Sequence, residues 1–113
     1  MFQLRVGVGD PSGERFVDVP AIVGSYSSHL TVPAALLRGL GVEPARTQEF
    51  IHGDGRSAIY PVGQTRVQIG RRERIATVGF APEGTRPESG EVTLGIFCLR
   101  IEGTQLVEDV ARA

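Results

Sequence analysis

Apolar residues recur at every second position through much of the chain, the period of a strand with one buried face. Phe2, Leu4, Val6 and Val8 alternate with Gln3, Arg5 and Gly7. The run stops at Gly9-Asp10-Pro11-Ser12-Gly13, a stretch made wholly of turn formers. Val17, Val19, Ala21 and Val23 then alternate with Asp18, Pro20 and Ile22. Pro20 cannot donate a ladder bond, so this strand is expected to bend, bulge or lie at an edge there. The period changes at Pro33, which suits a first helical position. Leu36, Leu37 and Leu40 share a helical face and Gly41 suits the position after the last turn, which predicts a short helix over about residues 33 to 40.

After Pro44 the alternation returns. Phe50–Ile51 and Ala58–Val62 flank His52-Gly53-Asp54-Gly55-Arg56, and Asp-Gly is a strong hairpin signal. Thr65, Val67 and Ile69 lead to a Gly70-Arg71 turn, with a return strand over Arg74 to Phe80. Residues 81 to 90 are rich in Pro, Gly and Glu and read as a loop. Glu91 to Ile101 suits either a buried strand or a short helix, and Gln105 to Val107 a last strand. Many short strands and one clear helix predict a single domain over residues 1–113, a small closed β structure of the barrel or sandwich kind.

Composition narrows the function. The chain has 113 residues, a hydrophobic fraction of 41% and a charged fraction of 22%, values that allow a proper core. Net charge is −1, which argues against nucleic acid as a partner, because that binding is largely charge neutralisation. Arg71, Arg72 and Arg74 cluster, but Glu73 interrupts them, and a solvated hairpin tip is expected. No apolar run nears the ~18 residues a membrane span needs, and the N-terminus lacks the layout of a secretion signal; a cytoplasmic protein without a membrane partner is the expectation. The single cysteine, Cys98, excludes an internal disulfide and is expected to be a buried, inert thiol in an apolar run.

Candidate chemistry is sparse. His29 and His52 are far apart in sequence and lack metal-ligand spacing, so neither a metal nor another cofactor is expected. Ser28 and His29 are neighbours and point to opposite faces of an extended chain, which disfavours a serine dyad. A catalytic carboxylate would belong where the strand ending in Ala21-Ile22-Val23 meets Gly24-Ser25-Tyr26-Ser27-Ser28, and that stretch holds no acid.

The order of features nevertheless resembles a known family. Ala21-Ile22-Val23, Pro33 through Leu40-Gly41-Val42-Glu43-Pro44, Arg46 to Phe50, Asp54-Gly55-Arg56, Tyr60-Pro61-Val62-Gly63, Gly70-Arg71 and Pro82-Glu83-Gly84 follow one another as in the bacterial retropepsin-like aspartic proteases, small relatives of the retroviral proteases. The resemblance covers about residues 14 to 107. It implies an all-β acid-protease fold: a closed barrel with a flap hairpin and one or two short helices. It also implies a homodimer whose termini interleave. The chain departs from the family where its chemistry resides: Gly24 stands at the position of the catalytic Asp, Ser25 at the Thr, and Tyr26 at the Gly. Such enzymes share one proton between two aspartates, one acting as base and the other as acid, and glycine can do neither. Glu88 and Ser89 replace two core leucines of the family pattern.

The expected function is therefore that of a catalytically inactive homologue with no catalytic residue, binding an extended peptide or protein segment by strand addition. Ser25, Tyr26 and Ser27 would form the cleft floor and His52, Gly53, Asp54, Gly55 and Arg56 the flap tip. Two alternatives stand beside it: an active endopeptidase with an atypical site, for which Asp18 and Asp54 are the carboxylates to examine, and an unrelated small β-barrel binding protein.

Overall fold

A computed structural model describes residues 2–23, 29–52, 55–102 and 105–108. Its order is β1 (Phe2–Gly9), β2 (Phe16–Val23), β3 (Leu30–Pro33), α1 (Ala34–Gly39), β4 (Arg46–Ile51), β5 (Ser57–Ile69), β6 (Arg72–Ala81), β7 (Glu88–Ser89), α2 (Glu91–Ile96), β8 (Leu99–Glu102) and β9 (Gln105–Glu108). The described residues are thus mostly β, with two short helices. Seven strands form one sheet in the order β1-β2-β7-β3-β6-β5-β4, and β8 pairs with β9 apart from it. A second pairing of β1, Gly7 with Gln68 and Val8 with Val67, joins it to β5.

The β1–β2 hairpin runs in unbroken register from Phe2↔Val23 to Gly9↔Phe16. Pro20 causes no bulge: it stands opposite Arg5, on a part of β2 whose other side meets β7 only later, at Ile22 and Val23. The alternation buries Val6 and Val8 of β1 with Val19, Ala21 and Val23 of β2. Val17, beside the turn, stays 42% exposed. Leu30 and Val32 of β3, Val67 and Ile69 of β5, and Ala76, Val78 and Phe80 of β6 complete the same core. Here β3 runs parallel to β6, and β7 lies between β2 and β3, parallel to one and antiparallel to the other.

Helix α1 starts one residue later than expected. Pro33 is its cap, Leu37 is fully buried, Leu40 closes it, and Gly41 takes the left-handed φ of +79° that only glycine adopts cheaply. Leu36 packs on the rim of the core. The ambiguous segment from Glu91 to Ile101 contains both alternatives, a helix and then a strand. Thr93 of α2 is buried because its hydroxyl accepts the Leu30 amide at 2.8 Å, which fastens the helix to β3.

Three expectations are corrected. The two strands expected over residues 58–62 and 65–69 are one thirteen-residue strand, β5, which changes partner from β4 to β6 along its length. Arg72 is not a solvated tip residue: it donates to the Phe97 carbonyl and the Glu108 carboxylate, both at 2.6 Å, tying the end of α2 to β9. Cys98 is half-buried rather than buried, at a φ of +58° in the turn between α2 and β8. Strands β1 and β9, the segments expected to interleave between subunits, pair within the chain with β2 and β8. Among the described residues no helix is long and apolar enough to cross a membrane.

Candidate functional site

The β4–β5 hairpin sorts its side chains by register. Glu49 pairs with Ile59 and Ile51 with Ser57 on the outer face; Gln48 pairs with Tyr60 and Phe50 with Ala58 on the inner one. Just past β4, the His52 amide donates to the Arg56 carbonyl at 2.8 Å and the Gly55 amide to the His52 carbonyl at 2.9 Å. That turn folds the imidazole inward, and His52 is only 8% exposed.

Both ring nitrogens of His52 are engaged. Nδ1 meets a Glu88 carboxylate oxygen, and Nε2 lies 2.8 Å from the Tyr60 hydroxyl. An ionised carboxylate can only accept, so Nδ1 carries a proton and donates to Glu88; in the neutral ring Nε2 accepts from the phenol. Glu88 itself is held in β7, beside Ile22 of β2 and Thr31 of β3. The chain carboxylate–imidazole–phenol therefore ties the hairpin to the centre of the sheet. Burial, and then the nearby Glu88 charge, push the Tyr60 phenol above its usual range, with Arg56 opposing. Tyr60 thus stays a protonated donor at neutral pH.

A second polar contact backs the first. Gln48 Nε2 donates to His29 Nδ1 at 2.8 Å, and the Gln48 carbonyl oxygen accepts from Arg46 at 2.7 Å. This fixes the amide so that the imidazole must present a lone pair. Burial, with Arg46 adding to it, lowers the His29 pKa, in keeping with a neutral ring. The Phe50 ring lies between these groups, 6.1 Å from His29 and 5.6 Å from Tyr60.

In front of the His52–Tyr60 pair opens a cavity of about 610 Å³. One wall is the start of β5, with Arg56, Ser57, Ala58 and Tyr60; the other is the segment before β7, with Thr85, Arg86 and Glu88; Ile22 lies between them. Residues 57–61 of β5 pair with β4 on one edge, and pairing with β6 begins only at Val62. Among the described residues their second edge has no strand partner.

Of the residues singled out from the sequence, Gly24, Ser25, Tyr26 and Ser27 lie outside the described residues, as do Gly53 and Asp54. Gly55 and Arg56 are exposed where the hairpin turns, and Arg56 lines the cavity. His52 lines it too, but as a buried, doubly bonded group rather than an exposed tip. Sequence reasoning missed Tyr60, Glu88 and Arg86. The hairpin register makes Tyr60 legible, two residues inward of Ala58; nothing local marks Glu88, whose partner is distant in sequence. Neither Glu88 nor Ser89 has a core leucine's role: Glu88 faces the cavity, and Ser89 is fully buried, its hydroxyl unpartnered among the described residues.

The hydroxyl that the Glu88-oriented imidazole meets belongs to Tyr60, whose pKa is raised rather than lowered, so the phenol is not activated as a nucleophile. No group of three or more His, Cys, Asp or Glu among the described residues is placed to hold a metal ion. What the arrangement can do is hold a rigid hairpin over a cleft with an open strand edge. Comparison with protein-family models, curated proteins and solved structures finds no match.

Proposed function

We propose that this chain is a non-catalytic retropepsin-like module that binds an extended peptide segment in the cleft between the β4–β5 hairpin and the residues before β7. The observation that carries the reading is the edge of residues 57–61 that has no strand partner among the described residues and borders the 610 Å³ cavity. A peptide added there gains main-chain hydrogen bonds for affinity, and pockets on the cleft walls select its side chains. The His52–Glu88–Tyr60 tie keeps that edge in place before binding, which lowers the ordering cost. Loss of catalysis rests on Gly24 at the position where the family pattern requires an aspartate. The fold reading that goes with it is a closed retropepsin-like barrel, supported by the β1–β5 pairing that brings the two ends of the run β1-β2-β7-β3-β6-β5 together. Assembly as a homodimer is supported by the β8–β9 sheet, whose outer edges are unpaired among the described residues and so invite a second copy.

The test is a pair of measurements on the purified protein. Extended peptides should bind saturably, and no pepstatin-sensitive cleavage should appear between about pH 3 and 7, the span in which an aspartyl pair would titrate. Pepstatin-sensitive turnover would show a working endopeptidase instead; absence of any peptide binding would remove the module reading. Sedimentation as a monomer at micromolar concentration would remove the dimer.

A further inference from the structure

Both histidines of the chain fasten the β4–β5 hairpin: His52, just past β4, ties it to Glu88 of β7, and His29, just before β3, ties it through Gln48 of β4. A proton affects the two fastenings differently. The His52 tie survives protonation: Nδ1 still donates to the ionised Glu88, and Nε2, now a donor, meets a phenol oxygen that can accept as well as donate. Arg56, in the adjoining turn, is the other charge here and acts on Tyr60. The His29 tie does not survive. Its Nδ1 accepts from Gln48 Nε2 at 2.8 Å, while Arg46 holds the Gln48 carbonyl oxygen at 2.7 Å. An imidazolium has no lone pair to offer, so ring and amide would present donors to each other. Turning the amide over only moves the fault, because its NH2 group then faces the Arg46 guanidinium. Among the described residues Arg46 is the charge that acts on this ring; Gln48 and Phe50, the other β4 side chains against it, are neutral.

Gln48 stands opposite Tyr60 in the β4–β5 register, and the Phe50 ring lies beside both His29 and Tyr60. A displaced Gln48 therefore disturbs the strand that backs residues 57–61. We infer that His29 is a proton-operated latch on this hairpin: protonation breaks its bond to Gln48, the hairpin loosens, and the edge of residues 57–61 loses affinity for its peptide. Regulation of that edge rests on the peptide-binding reading above; the latch itself does not. In the open hairpin the ring meets water and takes up a proton near the ordinary value of about 6.5. The closed hairpin resists that proton, so acid favours opening. An edge that must be ordered again on binding then binds more weakly.

The experiment compares the full chain at about pH 8 and about pH 5, on either side of the imidazole range. Amide exchange, corrected for intrinsic rates, reads the hairpin; fluorescence anisotropy reads a labelled octapeptide alternating Val and Gln, which has no titrating side chain. Acid should raise opening of β4 and residues 57–61, and weaken the peptide, by about two- to tenfold, the range for one lost hydrogen bond. His29→Gln offers Gln48 an acceptor at every pH and should abolish both changes. Gln48→Glu places a carboxylate between the imidazolium and Arg46 and should reverse their sign. Exchange that is equal at the two pH values, or a pH dependence that persists in His29→Gln, would overturn the latch. Opening in acid with unchanged peptide affinity would overturn the regulation of the edge. Opening in acid with no peptide bound at either pH would overturn the peptide-binding reading and leave the latch standing.

Discussion

One substitution made at two glycines should act with opposite sign, because the space at the two positions differs. A Cβ at Gly63 would lie 2.5 Å from the Glu43 carbonyl oxygen and 3.3 Å from Val42 Cγ1. The first of these contacts is with backbone, which cannot swing aside as a side chain can. Relief requires residues 42 to 45 to shift, and that segment is anchored by the Ala45 amide donating to the Val62 carbonyl at 2.7 Å. Forcing a methyl into such a site costs about 1–3 kcal/mol, and weakening that hydrogen bond adds about 0.5–1.5 kcal/mol. The smaller conformational freedom of the unfolded Ala chain offsets about 0.4–1 kcal/mol. Gly63→Ala should therefore lose about 0.5–4 kcal/mol. Gly39 sits in α1 where an added Cβ would meet no heavy atom of the described residues within 4 Å, so Gly39→Ala keeps only the helix-propensity gain, about 0.5–1 kcal/mol. Urea unfolding followed by circular dichroism reads both as shifts of midpoint at constant slope. A Gly63→Ala protein as stable as the parent would refute the close approach of the 42–45 segment to β5; a destabilised Gly39→Ala would refute the open helical site.

Further outcomes follow from the core and the polar tie. Leu37→Ala should cost about 2–5 kcal/mol, since the side chain is fully buried; a loss under about 0.5 kcal/mol in the same unfolding assay would show the helix packs through another face. Glu88→Ala strips the acceptor from a buried imidazole N–H and should cost about 1–3 kcal/mol, with faster amide exchange in β4 and the start of β5; unchanged exchange would show that the tie does not hold the hairpin. His29 has a folded pKa below its ordinary 6.5, so the unfolded chain takes up the proton first and stability falls as pH drops below about 6.5. Replacing His29 with Gln should flatten the stability profile in that window, and an unchanged slope would refute the role given to its burial.

The amino-acid sequence by itself determined the β1–β2 hairpin, the first helix and the turns that end them, because these depend on neighbours. Alternation placed Val6, Val8, Val19, Ala21 and Val23 inside, and Leu37 with Gly41 marked the helix and its end. It also determined the absence of an acid at Gly24, which needs no structure to read. Only the tertiary structure decided the rest. β5 is one strand because β4 and β6 pair with successive parts of it, and no local signal announces a change of partner. The tie from His52 to Glu88 spans 36 positions, and Arg72 reaches Phe97 and Glu108 across similar gaps. The cleft is likewise a product of assembly: Arg56 and Arg86 belong to unrelated stretches of sequence, and line one cavity because β7 inserts between β2 and β3 and carries the residues before it up to the hairpin. Periodicity reports which face of an element is buried; which distant residues meet across that face is settled by packing alone.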